Sequence, residues 1–234
     1  MKVTILVDNK VALNGTIAAW GFSAYIDNGK TKILMDTGPN FRTLENNAKV
    51  IGVNLDEISA IFISHLHGDH CGALETLLNT YELDIPVFIP TKRHWSWKLK
   101  FGKIIHVDKP RRLVDEMFST GPLGLWLTEH SFIAKIDGNS SILVTGCAHP
   151  GIVKIIEVVN KIFGFNILAV IGGMHLMGAS RFELERIVEK INGFKVEHIC
   201  PCHCSGEDFL KVLLNSFSGK VHRCGCGVTI NLTV

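Results

Sequence analysis

Between positions 64 and 70 the chain reads SHLHGDH, three histidines and an aspartate within six residues. Imidazole nitrogens and a carboxylate are the usual ligands of zinc, iron, manganese and similar first-row ions. His65 and His67 are two apart, so an extended backbone aims both the same way. Gly68 permits a sharp turn, and Asp69 and His70 then fall at a helix start, turned back over the end of the strand. A solvated loop has no need of this set, and the order strand, H-x-H-x-D-H, helix is specific enough to read as a metal-binding turn.

Stepping along the chain, three more histidines occupy equivalent places. ILVTGCAHPG (142–151), ILAVIGGMHLMG (167–178) and VEHICPCHCSG (196–206) each run from an apolar strand through an elbow of Gly, Cys or Pro to a histidine: His149, His175 and His203. Helical patterns follow at 152–162, 182–191 and 207–214, and a short strand at 60–63 leads into His65 in the same way. Strands alternating with amphipathic helices predict α/β layering, and in such folds ligands sit outside the carboxyl ends of the strands. Four histidine-bearing strand ends therefore predict one shared site. Further strands are expected at 3–7, 22–26, 32–35, 87–89, 132–136, 141–145 and 228–232, and helices at 44–51, closed by Gly52, and 72–78. Asn28-Gly29 and Asp137-Gly138 are hairpin signals. Residues 80–128 carry the least regular pattern.

The 234 residues are read as one domain, 1–234, long enough to bury a substantial core. Hydrophobic residues at 47% and charged residues at 20% are ordinary for a globular protein. No apolar run approaches the roughly 20 residues of a membrane span, and the opening MKVTILVDNK reads as a strand, not a secretory signal. Seven cysteines, an odd number, then predict thiols in a cytoplasmic protein. A net charge of +2 argues against nucleic acid as the partner of the whole chain. Charge is concentrated at 92–112, where eight basic residues face Asp108 alone, with Trp95 and Trp97 interleaved. This is either a solvated face or an anion-binding rim, with Arg93, Lys98 and Lys100 as its candidate residues.

SHLHGDH resembles the H-x-H-x-D-H signature of the metallo-β-lactamase superfamily, and LMDTG at 34–38 resembles that superfamily's Asp-bearing strand end. TGCAHPGI, IGGMHLMGAS and PCHCSG resemble a narrower group named for a dihydropterin-ribofuranosylaminobenzene phosphate synthase, many of whose members are called metal-dependent hydrolases. The resemblance spans 20–75 and 130–234 and is weak at 76–129, the variable region in which superfamily members commonly build the substrate pocket. It implies an α/β (α+β) fold, a four-layer αβ/βα sandwich with two mixed β-sheets and a binuclear metal site. By the same resemblance His65, His67 and His149 hold one metal and Asp69, His70 and His203 the other, while Asp36 orients a ligand histidine. The expected cofactor is a pair of divalent ions, zinc first, with iron or manganese as alternatives. Many superfamily members have Asp where this chain has Cys147, which is read either as a thiolate ligand or as a small buried apolar residue. His175 lines the pocket, binds substrate or caps its elbow; it and Asp69 are the residues expected to take part in the reaction.

Two metals about 3.5–4 Å apart lower the pKa of a shared water toward roughly 7, giving a hydroxide that attacks carbonyl or phosphorus centres. The expected activity is metal-dependent hydrolysis, or a related transferase or synthase reaction, on a small anionic or phosphorylated molecule. Three other readings stand beside it. A nuclease of the same superfamily needs a long basic track, a di-iron redox protein needs more carboxylates than Asp69, and a metal-stabilised scaffold needs a closed four-ligand cage. Cys200, Cys202, Cys204, Cys224 and Cys226 offer a separate structural zinc site as a rival use of the C-terminal cysteines.

Overall fold

The computed structural model describes residues 1–90, 99–124 and 127–232. The chain divides into two compact units, Met1–Asp108 joined by the C-terminal strand, and Lys109–Arg223. Each is built on one seven-stranded mixed sheet.

In the first unit the strands are β1 (Lys2–Val7), β2 (Ser23–Asp27), β3 (Lys32–Met35), β4 (Ala60–Phe62), β5 (Pro86–Pro90) and β6 (Lys103–Val107). They lie side by side in chain order, with the last strand, Thr229–Asn231, added next to β1. Pairing is antiparallel as far as β3 and parallel from β3 to β6. Parallel neighbours need crossovers, and the helices α1 (Phe41–Ile51), α2 (Gly68–Cys71) and α3 (Leu74–Thr80) lie in two of them. Asn40 caps α1 by accepting from the Thr43 N–H, and Gly52 ends it in the left-handed conformation. Leu44 and Ala48 of α1 and Leu74, Leu77 and Leu78 of α3 pack on Leu6, Leu34, Ile61 and Val87 of the sheet. Each such fully buried Leu, Ile or Val side chain contributes about 1.5–3 kcal/mol.

The second unit repeats the plan with β7 (Arg111–Arg112), β8 (Met117–Ser119), β9 (Phe132–Asp137), β10 (Ser140–Thr145), β11 (Asn166–Gly173), β12 (His198–Cys202) and β13 (Lys220–Val221). The run from β7 to β10 is antiparallel and that from β10 to β13 parallel. The three parallel crossovers are α4 (Ile152–Phe163), α5 (Arg181–Gly193) and α6 (Glu207–Ser216). Ile152, Ile155, Ile156 and Val159 of α4 recur at helical spacing and are buried with Leu184, Val188, Phe209 and Leu213 of the other two helices.

Most expected elements are present, and three expectations need correction. The helix expected at 72–78 runs instead over Leu74–Thr80, with a turn at Gly72 and Ala73 separating it from α2; at Gly72 the chain passes so close to Pro39 that a Cβ would stand 2.2 Å from its carbonyl oxygen. The stretch expected to be least regular holds β5, β6, β7 and β8, whose short runs pair only with strands distant in sequence or at a sheet edge. Cys202 and Cys224 are disulfide-bonded, against the expectation of thiols throughout, while Cys71, Cys147, Cys200, Cys204 and Cys226 are free. A disulfide sulfur is no thiolate, so the five-cysteine zinc site loses two of its donors. Among the described residues no helix is long and apolar enough to cross a membrane.

Candidate metal centre

In the first unit the chemistry lies at the ends of the parallel strands β3 and β4. Leaving β3, Asp36 adopts a left-handed backbone, φ 54°, and its side chain is fully buried. Its Oδ1 accepts the Ser64 N–H at 2.6 Å, and its Oδ2 accepts the Ser64 hydroxyl at 2.7 Å. Oδ2 also meets Nδ1 of the buried His70 at 2.7 Å. A carboxylate can only accept, so His70 carries its proton on Nδ1 and keeps the Nε2 lone pair for a ligand. Burial pushes the Asp36 carboxyl above the ordinary carboxylate value, and the neighbouring His70 and the Ser64 hydrogen bonds pull it back.

Ser64 passes this order on. Its hydroxyl proton goes to Asp36, so its oxygen accepts from Nδ1 of His65, 3.0 Å away. That leaves the His65 Nε2 lone pair facing His67 Nδ1 at 3.1 Å. Two nitrogens bound to one tetrahedral zinc at 2.0–2.1 Å stand roughly 3.3 Å apart, so the pair is already spaced as ligands. The His65 and His70 rings are 4.1 Å apart between centroids, and Asp69 Oδ2 lies 3.8 Å from His70 Nε2. The expected cluster of His65, His67, Asp69, His70 and Asp36 is thus assembled within this unit. Cys71 follows it, its thiol donating to the His67 carbonyl and pushed up to about 11 by burial, so it stays a neutral thiol.

In the second unit His149, His175 and His203 each follow the carboxyl end of one of three adjacent parallel strands, β10, β11 and β12. The elbows are tight. A Cβ at Gly172 would stand 2.0 Å from the Thr145 carbonyl oxygen. Ala148, His175 and His203 have φ of 55°, 51° and 48°, a left-handed backbone that non-glycine residues adopt at a cost of about 1 kcal/mol or more each.

The residue that organises the first of these elbows, Glu129, went unrecognised in the sequence. It is fully buried just ahead of β9. Its Oε1 accepts the N–H groups of Cys147 and Ala148 at 2.9 and 2.8 Å. Its Oε2 accepts the N–H of His149 at 2.9 Å and Nδ1 of the same residue at 2.7 Å. His149 therefore has its Nδ1 proton held, which makes Nε2 the nitrogen that can bind an ion, by the same logic as His70. The available signal was the triplet Thr128-Glu129-His130, an acid set directly before a buried strand. His175 is exposed, its ring 4.5 Å from that of His149. Cys147, His175 and Cys204 bring donor atoms within 4.8 Å of one another, which places Cys147 among potential ligand atoms, with Cys204 there too although the sequence offered it only for the separate C-terminal zinc site. His203 is buried in a 3-10 turn, where Ser205 ties the end of β12 to that of β11 by donating to the Cys202 carbonyl and accepting from Met174 N–H.

Of the expected rim, Arg93 and Lys98 lie outside the described residues, and Lys100 is exposed with its ammonium 4.9 Å from the Phe101 ring centre. His198 and His222, which had no partner in the sequence, hydrogen-bond to each other at 3.0 Å, and His130 bonds the Ser119 hydroxyl at 2.9 Å.

The profile of the Metallo-beta-lactamase superfamily matches residues 21–160. The chain belongs to that superfamily. A curated relative from Methanocaldococcus jannaschii, 7,8-dihydropterin-6-methyl-4-(beta-D-ribofuranosyl)-aminobenzene-5'-phosphate synthase, is 28% identical over 86% of this chain and 84% of its own length. Among solved structures, Tm1679, a metal-dependent hydrolase of the beta-lactamase superfamily, is 26% identical with a TM-score of 0.84 over the whole of both chains. The short form of human tRNase Z shares the fold at 16% identity, TM-score 0.67, again over both whole chains. The chain therefore has the metallo-β-lactamase fold, with the superfamily's histidine-rich turn at 65–70 and its two mixed sheets.

Proposed function

We propose that the protein is a metal-dependent hydrolase, or a related transferase or synthase, that uses two divalent ions on a small anionic or phosphorylated substrate. His65, His67 and His149 would hold one ion, and Asp69, His70 and His203 the other. Zinc suits this imidazole-rich set, with iron or manganese as alternatives. The carrying observation is that two buried carboxylates, Asp36 and Glu129, hold Nδ1 of His70 and of His149 at 2.7 Å, so that Nε2 is the nitrogen of each that can coordinate. Such orientation is what metal-bound histidines receive from their supports, and a merely structural histidine gains little from it.

Bound divalent ions supply an activated water at neutral pH and stabilise developing negative charge. The chain's own residues hold and align. Asp36 and Ser64 lock His65 and His70, Glu129 locks the 147–149 elbow, and the exposed His175 beside His149 contacts the substrate or moves a proton. The relative named as a synthase keeps the transferase and synthase chemistry within this proposal, and its named product is a phosphate ester. A nuclease or a di-iron redox protein remains the alternative.

The test is elemental analysis of protein purified without added metal, with a turnover screen over phosphodiesters, lactones, thioesters and phosphorylated pterins. His67→Ala is expected to lose most of the bound metal and all turnover while its circular dichroism stays that of the parent. Full activity in that variant, or in protein stripped of metal by a chelator, overturns the proposal. Bound iron with visible absorption redirects it to redox chemistry.

A further inference from the structure

Three neighbouring strands of the second unit each present a donor at the same step of the elbow. β10 ends at Thr145, β11 at Gly173 and β12 at Cys202, and two residues further on stand Cys147, His175 and Cys204. β11 pairs in parallel with both of its neighbours, so the three elbows leave the sheet side by side. The two sulfurs and a ring nitrogen of His175 all lie within 4.8 Å of one another. Both cysteines are thiols, 4% and 5% exposed, and His175 is the exposed member of the set. A tetrahedral zinc at about 2.3 Å from each sulfur holds two sulfurs roughly 3.8 Å apart. An ion would therefore draw these two together by about 1 Å at most.

The elbows are shaped around Cys204. Gly173 leaves room for its sulfur, since a Cβ there would stand 2.8 Å from Sγ and 3.2 Å from the Cys147 Cα. The His175 N–H donates to Sγ at 3.3 Å, and the N–H groups of Leu176 and Met177 both donate to the Cys204 carbonyl at 3.2 Å. A donor aimed at sulfur favours the thiolate, the form that ligates a metal. Ala148 and His175 hold left-handed backbones, and such strain gathers where the surroundings of a site over-determine the chain. A single buried cysteine is ordinarily a small apolar residue. Two of them with an imidazole, at matched places on adjacent strands, are a ligand set.

We propose that Cys147, Cys204 and His175 coordinate a further ion, held by the second unit alone through two thiolates and one imidazole. Thiolates select zinc or cuprous copper over magnesium, calcium or manganese. Each thiol gives its proton to solvent as it ligates. Three protein ligands leave the fourth position of a tetrahedral ion open. The two-ion reading uses neither thiol. This site stands beside it and moves His175 from substrate contact to coordination.

The test is X-ray absorption at the zinc edge of the zinc-loaded protein, with zinc counted per chain. A sulfur shell at about 2.3 Å is expected beside the nitrogen and oxygen shell at about 2.0–2.2 Å. The Cys147→Ser, Cys204→Ser double variant is expected to lose the sulfur shell and one zinc per chain. Cys204→Ala alone, which leaves the elbow held by Glu129 untouched, is expected to lose half of the sulfur shell. His175→Ala is expected to keep both sulfurs and to weaken retention of that ion about tenfold or more against a chromophoric chelator. A parent spectrum with nitrogen and oxygen alone overturns the proposal. So does a sulfur shell that survives in both cysteine variants, which would belong to Cys71, Cys200 or Cys226. Unchanged retention in His175→Ala overturns the three-ligand site. Two sulfur-free zinc ions with turnover would keep the two-ion reading and sink this proposal, whereas a single sulfur-bound zinc would do the reverse.

Discussion

The two units solve one problem with different wiring. In each, an antiparallel run of strands gives way to a parallel run, the histidines follow parallel-strand ends, and one buried carboxylate holds an imidazole Nδ1 at 2.7 Å. Asp36 spends its remaining capacity on the backbone and hydroxyl of Ser64, and through that hydroxyl reaches a second histidine, His65. Glu129 spends its capacity on three successive backbone N–H groups at 147–149, so it holds the elbow that carries its histidine. The first carboxylate is thus a relay between side chains, and the second is a clamp on backbone. The difference matters because buried backbone donors have no alternative partner, whereas a hydroxyl can rotate toward another.

That contrast predicts the largest effects. Glu129→Ala leaves four buried or half-buried donors without an acceptor and is expected to cost about 3–5 kcal/mol in denaturant unfolding. Asp36→Ala leaves three, one of them the rotatable Ser64 hydroxyl, and is expected to cost less. Equal losses would break the distinction between clamp and relay.

Titration separates the units more gently. In the first, burial pushes the Cys226 thiol up to about 11 from an ordinary 9.0. A raised thiol pKa means that the folded chain holds the proton longer, so this stability is complete below pH 9 and is lost as pH rises toward 11. The loss is expected to reach at most about 2 kcal/mol, and Cys226→Ala should make that limb of the stability curve shallower, the rest coming from Cys71, which is raised to the same value. In the second unit, burial, with His198 and Lys220 nearby, holds His222 below its ordinary value. Its contribution is present above pH 6.5 and falls away as pH drops below it, so His222→Gln should flatten the acid side. A stability curve unchanged at both ends by these variants would show that the two units do not differ in this respect.

The smallest test compares caps. Asn40→Ala removes the acceptor of the Thr43 N–H at 2.9 Å, and Ser180→Ala that of the Glu183 N–H at 3.3 Å. About 1 kcal/mol is expected for the first and less for the second in thermal melts, because the longer bond is the weaker one.

Local pattern revealed much of this protein. Helices α4, α5 and α6 and the histidine-bearing turns at 65, 67, 70, 149, 175 and 203 were readable because spacing, elbow glycines and strand-to-helix order are properties of contiguous residues, while Asp36 was legible only through the family resemblance of its LMDTG stretch. Glu129 was not, since its partners lie 18 to 20 residues away and the one local signal, an acid set directly before a buried strand, does not name them. Nor were the pairing of His198 with His222, the disulfide state of Cys202 and Cys224, or the short strands between 103 and 119.

By itself the amino-acid order determined which side chains have metal chemistry and which strand ends present them, because both are written in runs of a dozen residues. Only the folded chain decided which nitrogen of His70 and His149 a carboxylate holds, and which donors Glu129 must satisfy. Those outcomes depend on burial and on atoms brought within 3 Å from distant positions, and burial alone makes a misplaced proton or an unmet donor too costly to tolerate.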